Sequence, residues 1–185
     1  MATPPAADPS FDGLHAVHAK VDAKFAEIVG RHPTQFQCRQ GCHSCCLPGL
    51  TVVAVEAAQI RDYLQAHPAA LAAAREIARG KPHGDSRCAL LDADGACLVY
   101  PVRPALCRAH GAPTLAARSG SSQMTIDSCP LNFTDVNLAD LPDDRIGVDL
   151  VNTLLFVAGE LWQRGSSRRR MRLTLRGLGI AARGR

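Results

Sequence analysis

The stretch Cys38-Arg39-Gln40-Gly41-Cys42-His43-Ser44-Cys45-Cys46 puts four thiols within nine residues and decides what kind of domain surrounds it. A lone cysteine is usually a small buried hydrophobe. Four of them in a polar, Gly- and Pro-containing segment with no apolar periodicity are not explained by burial. Spacers of two to four residues let one loop wrap an ion, and soft sulfur ligands match zinc and iron. Gly41, directly before Cys42, predicts a left-handed backbone that turns amides toward sulfur. The spacing therefore points to metal ligation, with Cys38, Cys42 and Cys45 sharing a centre.

Four further cysteines, Cys88, Cys97, Cys107 and Cys129, follow at wider intervals. Folding would bring these distal thiolates in, so that metal cross-links the loops. Adjacent side chains on an extended backbone point to opposite sides, so one of Cys45 and Cys46 serves a second metal or simply packs. Eight thiols fill two four-sulfur sites, or one site with cysteines to spare. Zinc and iron–sulfur clusters both accept four cysteines, so thiolate count leaves both cofactors open. His43 and His110 are possible nitrogen ligands, although eight sulfurs make them dispensable. Arg103 and Arg108 flank Cys107; four thiolates around a divalent metal carry a formal charge of −2, which guanidinium groups would offset. The two arginines are thus cofactor-binding candidates, against ordinary surface exposure or a structural ion pair.

Whether these thiols are ligands or disulfides depends on the compartment. Met1 to Phe11 is Pro- and Ala-rich, without the basic cluster and apolar run of a signal peptide. No stretch approaches the roughly 18 apolar residues that suggest a membrane span. A cytoplasmic location is the expectation, and disulfides are rare there.

The 185 residues suit one domain. Hydrophobic residues make up 46% but aromatics only 4%, and alanine carries much of the rest, so the core is thin and a metal cross-link would help it. Residues 1–11 read as a disordered lead-in, 12–163 as the cysteine-cluster domain and 164–185 as a basic tail. Leu14, Val17, Val21, Phe25, Ile28 and Val29 predict an amphipathic helix ending near Gly30. A second helix is expected over 54–66, with Ile60, Tyr63 and Leu64 on one face, and a short Ala-rich one from Pro68 to near Gly80. Cys88 to Tyr100 reads as two short strands about Asp92-Ala93-Asp94-Gly95. One helical turn is expected at 105–110, a loop at 111–122, and the longest helix from Asp143 to Gln163, with Asp143 and Asp144 suiting its dipole. The fold class is mainly α, a single small domain with an irregular cysteine-rich metal-binding centre and a short β-hairpin.

The formal charge of +4 hides an asymmetry: from Arg164 onward there are eight arginines and no acid, leaving 13 bases against 17 acids before it. A basic tail can attract nucleic acid or acidic lipid. No aromatic residues interleave to stack on bases, so it reads as a solvated terminus without a nucleic-acid partner. Met171, Leu173 and Leu175 alternate with polar residues, as in a short edge strand.

The run Cys38 to Cys46 resembles the signature of the YkgJ-like cysteine-cluster proteins, a family of zinc- or iron-chelating domains. Cys88-Ala89-Leu90-Leu91, Gly95-Ala96-Cys97-Leu98-Val99-Tyr100, Arg103-Pro104-Ala105-Leu106-Cys107-Arg108 and Cys129-Pro130 resemble its later elements, so the likeness covers about residues 34 to 133. It implies a bacterial cytoplasmic metal-chelating protein. Because a related domain occurs in flagellin lysine N-methylases, it also admits a component of a protein methyl-transfer system. An iron–sulfur-dependent oxidoreductase is the other enzymatic alternative. The spacing Cys38-x3-Cys42-x2-Cys45 also equals that of radical S-adenosylmethionine enzymes, but their barrel needs alternating strands and helices that this chain lacks. No Gly-rich nucleotide loop or Ser/His/Asp set supports catalysis. The protein partner is left undefined.

Overall fold

The computed structural model describes residues 10–39, 41–47, 49–79, 87–118, 120–164 and 173–174. The first helix, α1 (Asp12–Arg31), buries Leu14, Val17, His18, Val21 and Ile28, the i, i+3, i+4, i+7 spacing of one helical face. His32 closes it by donating its amide to Ile28 O, and Pro33 opens a 3-10 turn over Pro33–Gln35. After the cysteine loop come β1 (Thr51–Val52), α2 (Ala54–Ala66) and α3 (Pro68–Arg79). A five-residue helix, α4 (Ala105–Ala109), carries Cys107, and α5 (Val148–Arg164) packs against α1. Gly13 and Ala158 face each other across that contact.

Two apolar clusters share α2 as their partition. Val55 and Ala58 join the larger cluster with α1, α4 and α5, around Val17, Ala105, Phe133, Leu155 and Trp162. Ala57, Ile60 and Leu64 face the smaller one, with Val52, Ala74, Leu90 and Val99. Between them lies Glu56, 4% exposed, which accepts from Val53 N (3.3 Å) and from Ala105 N (2.8 Å). One buried carboxylate therefore closes the first turn of α2 and fixes the entry to α4, with His18 Nε2 3.6 Å away. Arg108 ties α4 to α1 through Asp22 at 2.6 Å.

A three-stranded sheet completes the fold. β2 (Thr114–Ala117) and β3 (Met124–Asp127) form an antiparallel hairpin with Thr114 opposite Asp127, and β4 (Ile146–Gly147) runs parallel to β2. This register brings the chain before β2, His110 and Gly111, beside the chain after β3, Cys129 and Asn132. Separately, β5 (Leu173–Thr174) pairs antiparallel with β1, as the alternation in the tail suggested.

The mainly helical, single-domain expectation with a short hairpin holds, and α2 has the expected bounds. The hairpin lies elsewhere, however. Residues 88–100 keep the expected turn, in which Asp92 Oδ1 accepts from Asp94 N and Ala96 N, but pair only through the bridge Leu91–Cys97. Leu90 and Leu91 are both buried, so this stretch does not alternate between core and solvent, and Leu90 joins the smaller cluster. The loop expected at 111–122 instead contains β2, which the distant Ile146-Gly147 stabilises. The last long helix starts at Val148, not Asp143, and α1 with 20 residues exceeds its 17. Asp144 does not cap it; its carboxylate binds Arg31 and His32. Phe11, the last residue of the expected lead-in, stacks on Trp162 at 6.4 Å. Residues 1–9 and most of the tail lie outside the described residues.

Candidate metal centre

All eight cysteines are free. Two other segments come to the cysteine loop, through contacts that backbone geometry dictates. Cys88 N donates to Cys46 O at 2.8 Å. The turn at Gly95, left-handed at φ +78°, lies so close that an added Cβ would sit 3.0 Å from His43 Cδ2 and 3.2 Å from Gly41 O. Gly41 itself has φ +82°, as its place before Cys42 predicted. From the sheet side, an added Cβ on Gly111 (φ +109°) would lie 3.4 Å from Cys38 Sγ. The loop is thus clasped between the 88–99 turn and the base of the β2–β3 hairpin.

The thiols fall into an outer and an inner group. In the outer group, Cys38 feels Cys129, Cys42 and Cys45 as its charged neighbours; burial raises its pKa, against the hydrogen bond from Asn132. In the inner group, Cys107 is pushed up to about 12, first by burial and then by Cys88 and Cys97. Cys88 and Cys97 are also raised mainly by burial, and each thiol accepts an amide from two residues on, Leu90 and Val99. Cys45 and Cys46 are where the groups meet. Hydrogen bonds from the Cys46 thiol and from His110 lower Cys45 to about 4, while the same Cys45 contact, with burial, holds Cys46 protonated. His110 is raised in turn by Cys45.

These residues fit a thiophilic metal. Burial and like-charge neighbours both oppose ionisation of clustered thiols, and a cation among them reverses the sign of both effects. Among the described residues, no three or more His, Cys, Asp or Glu side chains are closed into a ready-made ligand set.

The two arginines differ. Arg103 stacks on the Tyr100 ring at 4.2 Å and its charge favours the Cys97 thiolate. Arg108 is taken up by structural contacts: Asp22, Pro101 O and Arg103 O. His43 lies against Gly95, and His110 reaches Cys45.

Asn132 escaped the sequence reading. It is 2% exposed; its Nδ2 donates to Gly111 O at 2.8 Å and lies 3.6 Å from Cys38 Sγ, while its Oδ1 accepts from Gln37 N at 2.9 Å. Its position three residues past Cys129, in a Cys-Pro turn, was the available signal.

No described helix is long and apolar enough to cross a membrane. Searches of curated proteins and of solved structures return no match. A family model described as "CxxCxxCC: Putative zinc- or iron-chelating domain" matches residues 37–130. That span is half of the chain, includes all eight cysteines and coincides with the clasped loops, and the chain belongs to this family of zinc- or iron-chelating domains.

Proposed function

We propose that the chain is a two-centre metal-binding module in which an inner centre holds the fold together and an outer centre carries exchangeable metal. Cys46, Cys88, Cys97 and Cys107 ligate the inner centre; Cys38, Cys42, Cys45 and Cys129 ligate the outer. The observation that carries this reading is that different segments hold the two ends of the cysteine loop: Cys46 O accepts from Cys88 N, whereas Cys38 Sγ lies against Asn132 and Gly111 at the base of the hairpin, and Cys45 neighbours both thiol sets. Asn132 orients Cys38 in the outer centre. Arg103 offsets thiolate charge at Cys97, whereas Arg108 acts through the packing of α4. The reading requires a reducing compartment such as the cytoplasm, where the thiols stay free.

The bound metal is a zinc ion or iron with inorganic sulfide, and it supplies cross-links between loops together with an exchangeable position at the outer group. Anaerobic isolation of the full chain with metal and acid-labile sulfide analysis tests this. Two centres per chain are expected, colourless with zinc or brown with labile sulfide. Cys45→Ser should remove one centre and Cys46→Ser the other. A metal-free chain that takes up neither metal, or two variants that lose the same single centre, overturns the reading.

A further inference from the structure

Beside the outer thiols the surface opens into two adjoining depressions that share Gln37 and Leu131. The first, ≈ 450 Å³, has Arg39 and Cys42 in its wall; the second, ≈ 390 Å³, runs along Phe133 to Asp135. Both are open to solvent, with Gln37, Arg39, Leu131 and Asp135 exposed along them. Among the described lining residues, Arg39 is the one charged group of the first depression and Asp135 that of the second. The groove is therefore polarised, positive beside the outer thiols and negative at its far end, with amide side chains between.

Its inner wall is held in a costly conformation. Phe133 has φ +55°, the one left-handed non-glycine residue among the described residues. A bulky side chain adopts that backbone only where its surroundings enforce it, and such residues concentrate at ligand sites. Edge contacts with Phe36 (5.3 Å) and His32 (5.6 Å) hold the ring in place. The turn sends Asn132 inward to Cys38 and leaves Thr134 and Asp135 exposed along the groove.

We propose that this groove binds a short peptide ending in cysteine, its carboxylate on Arg39, its free amine on Asp135 and its sulfur beside Cys42. The polarity suits a zwitterion in this orientation, and the amides of Gln35 and Gln37 suit peptide groups along its length. The peptide thiol loses its proton to solvent and offers a thiolate in place of a protein sulfur, so that metal passes between carrier and peptide without electron transfer. This assignment rests on the outer centre proposed above.

The test titrates the full metal-loaded chain with the tripeptide Gly-Gly-Cys by calorimetry, with Gly-Gly-Ser and N-acetyl-Gly-Gly-Cys as controls. Arg39→Ala and Asp135→Asn should each weaken Gly-Gly-Cys binding about tenfold, the cost of one charge-assisted contact, with metal content and melting temperature unchanged. Gly-Gly-Ser should bind about tenfold more weakly, and the acetylated peptide should match the Asp135→Asn result and be insensitive to that substitution. Equal binding of all three peptides, or of the wild type and both variants, overturns the proposal while a full metal count leaves the two-centre reading standing. A metal-free chain overturns both. Capture of a cysteine-bearing protein segment instead of a free peptide would leave Asp135 without effect, and so also counts against the assignment.

Discussion

Cys88 and Cys97 pack against the smaller apolar cluster around Ile60, Leu64 and Leu90, whereas Cys38 is exposed and Cys42 lines an open polar groove. Cys88 and Cys97 share that core; of the outer set, Cys129 is buried and the rest lie on the loop. Identical side chains thus meet different demands. Burial shields the inner sulfurs from competing ligands and raises the cost of leaving them unpaired, which suits a metal that stays. Exposure leaves Cys38, and the open groove leaves Cys42, within reach of an exchanging partner. The supports differ as well: Glu56 fixes the helix that carries Cys107, while Asn132 and the Asp144–His32 pair behind Phe133 back the outer group.

The largest expected effect separates the two groups outright. Structural zinc in small domains contributes on the order of 10 kcal/mol, as much as the whole stability of a typical domain, about 5–15 kcal/mol. Cys107→Ser should therefore abolish cooperative thermal unfolding followed by circular dichroism, whereas Cys38→Ser should retain a transition and lose only the outer metal. Equal collapse of the two variants breaks the distinction. Next, Glu56→Gln replaces an acceptor-only carboxylate with an amide that brings donors into a buried site. Leaving such groups unsatisfied costs about 1–3 kcal/mol, so its urea midpoint should fall accordingly. A change confined to metal off-rate would place Glu56 with the centre instead of with the helices.

Asn132→Ala strips Gln37 N and Gly111 O of their partner, again at about 1–3 kcal/mol, with the lower end expected because Gln37 lies at the surface. Its diagnostic is selective: a chelator should draw metal faster from the outer centre and at the unchanged rate from the inner. The smallest effect belongs to Asp144, whose pKa is lowered by hydrogen bonds from His32 and Arg31. A carboxylate depressed in the folded state stabilises it above the unfolded pKa, about 3.9, and that contribution disappears as pH falls through the folded value. Asp144→Asn should accordingly be less stable than the wild type at pH 7, by under about 1 kcal/mol as for ion pairs with an exposed partner, and the urea midpoints should converge as pH falls through the lowered folded value. A gap that stays constant down to the acid limit of folding would assign the loss to packing.

Local signals were legible where the deciding contacts are local. α2 over 54–66 and the Asp92–Gly95 turn follow from periodicity and turn chemistry within a few residues. β2 was read as loop because Thr114–Ala117 is stabilised by Met124–Asp127 and by Ile146-Gly147, the latter some thirty residues away. Asp143 and Asp144 look like helix-start residues until α1 supplies Arg31 and His32 as partners.

By itself, the sequence determined the donor chemistry: eight thiols, four of them in a polar loop that burial cannot explain, and hence a soft-metal domain. Only the tertiary structure decided which segments meet the cysteine loop, why Asn132 and Glu56 matter, and which sulfurs face solvent. The physical reason is that a sulfur's affinity for metal is a property of the side chain, whereas its neighbours and dielectric depend on segments that meet only when the chain folds.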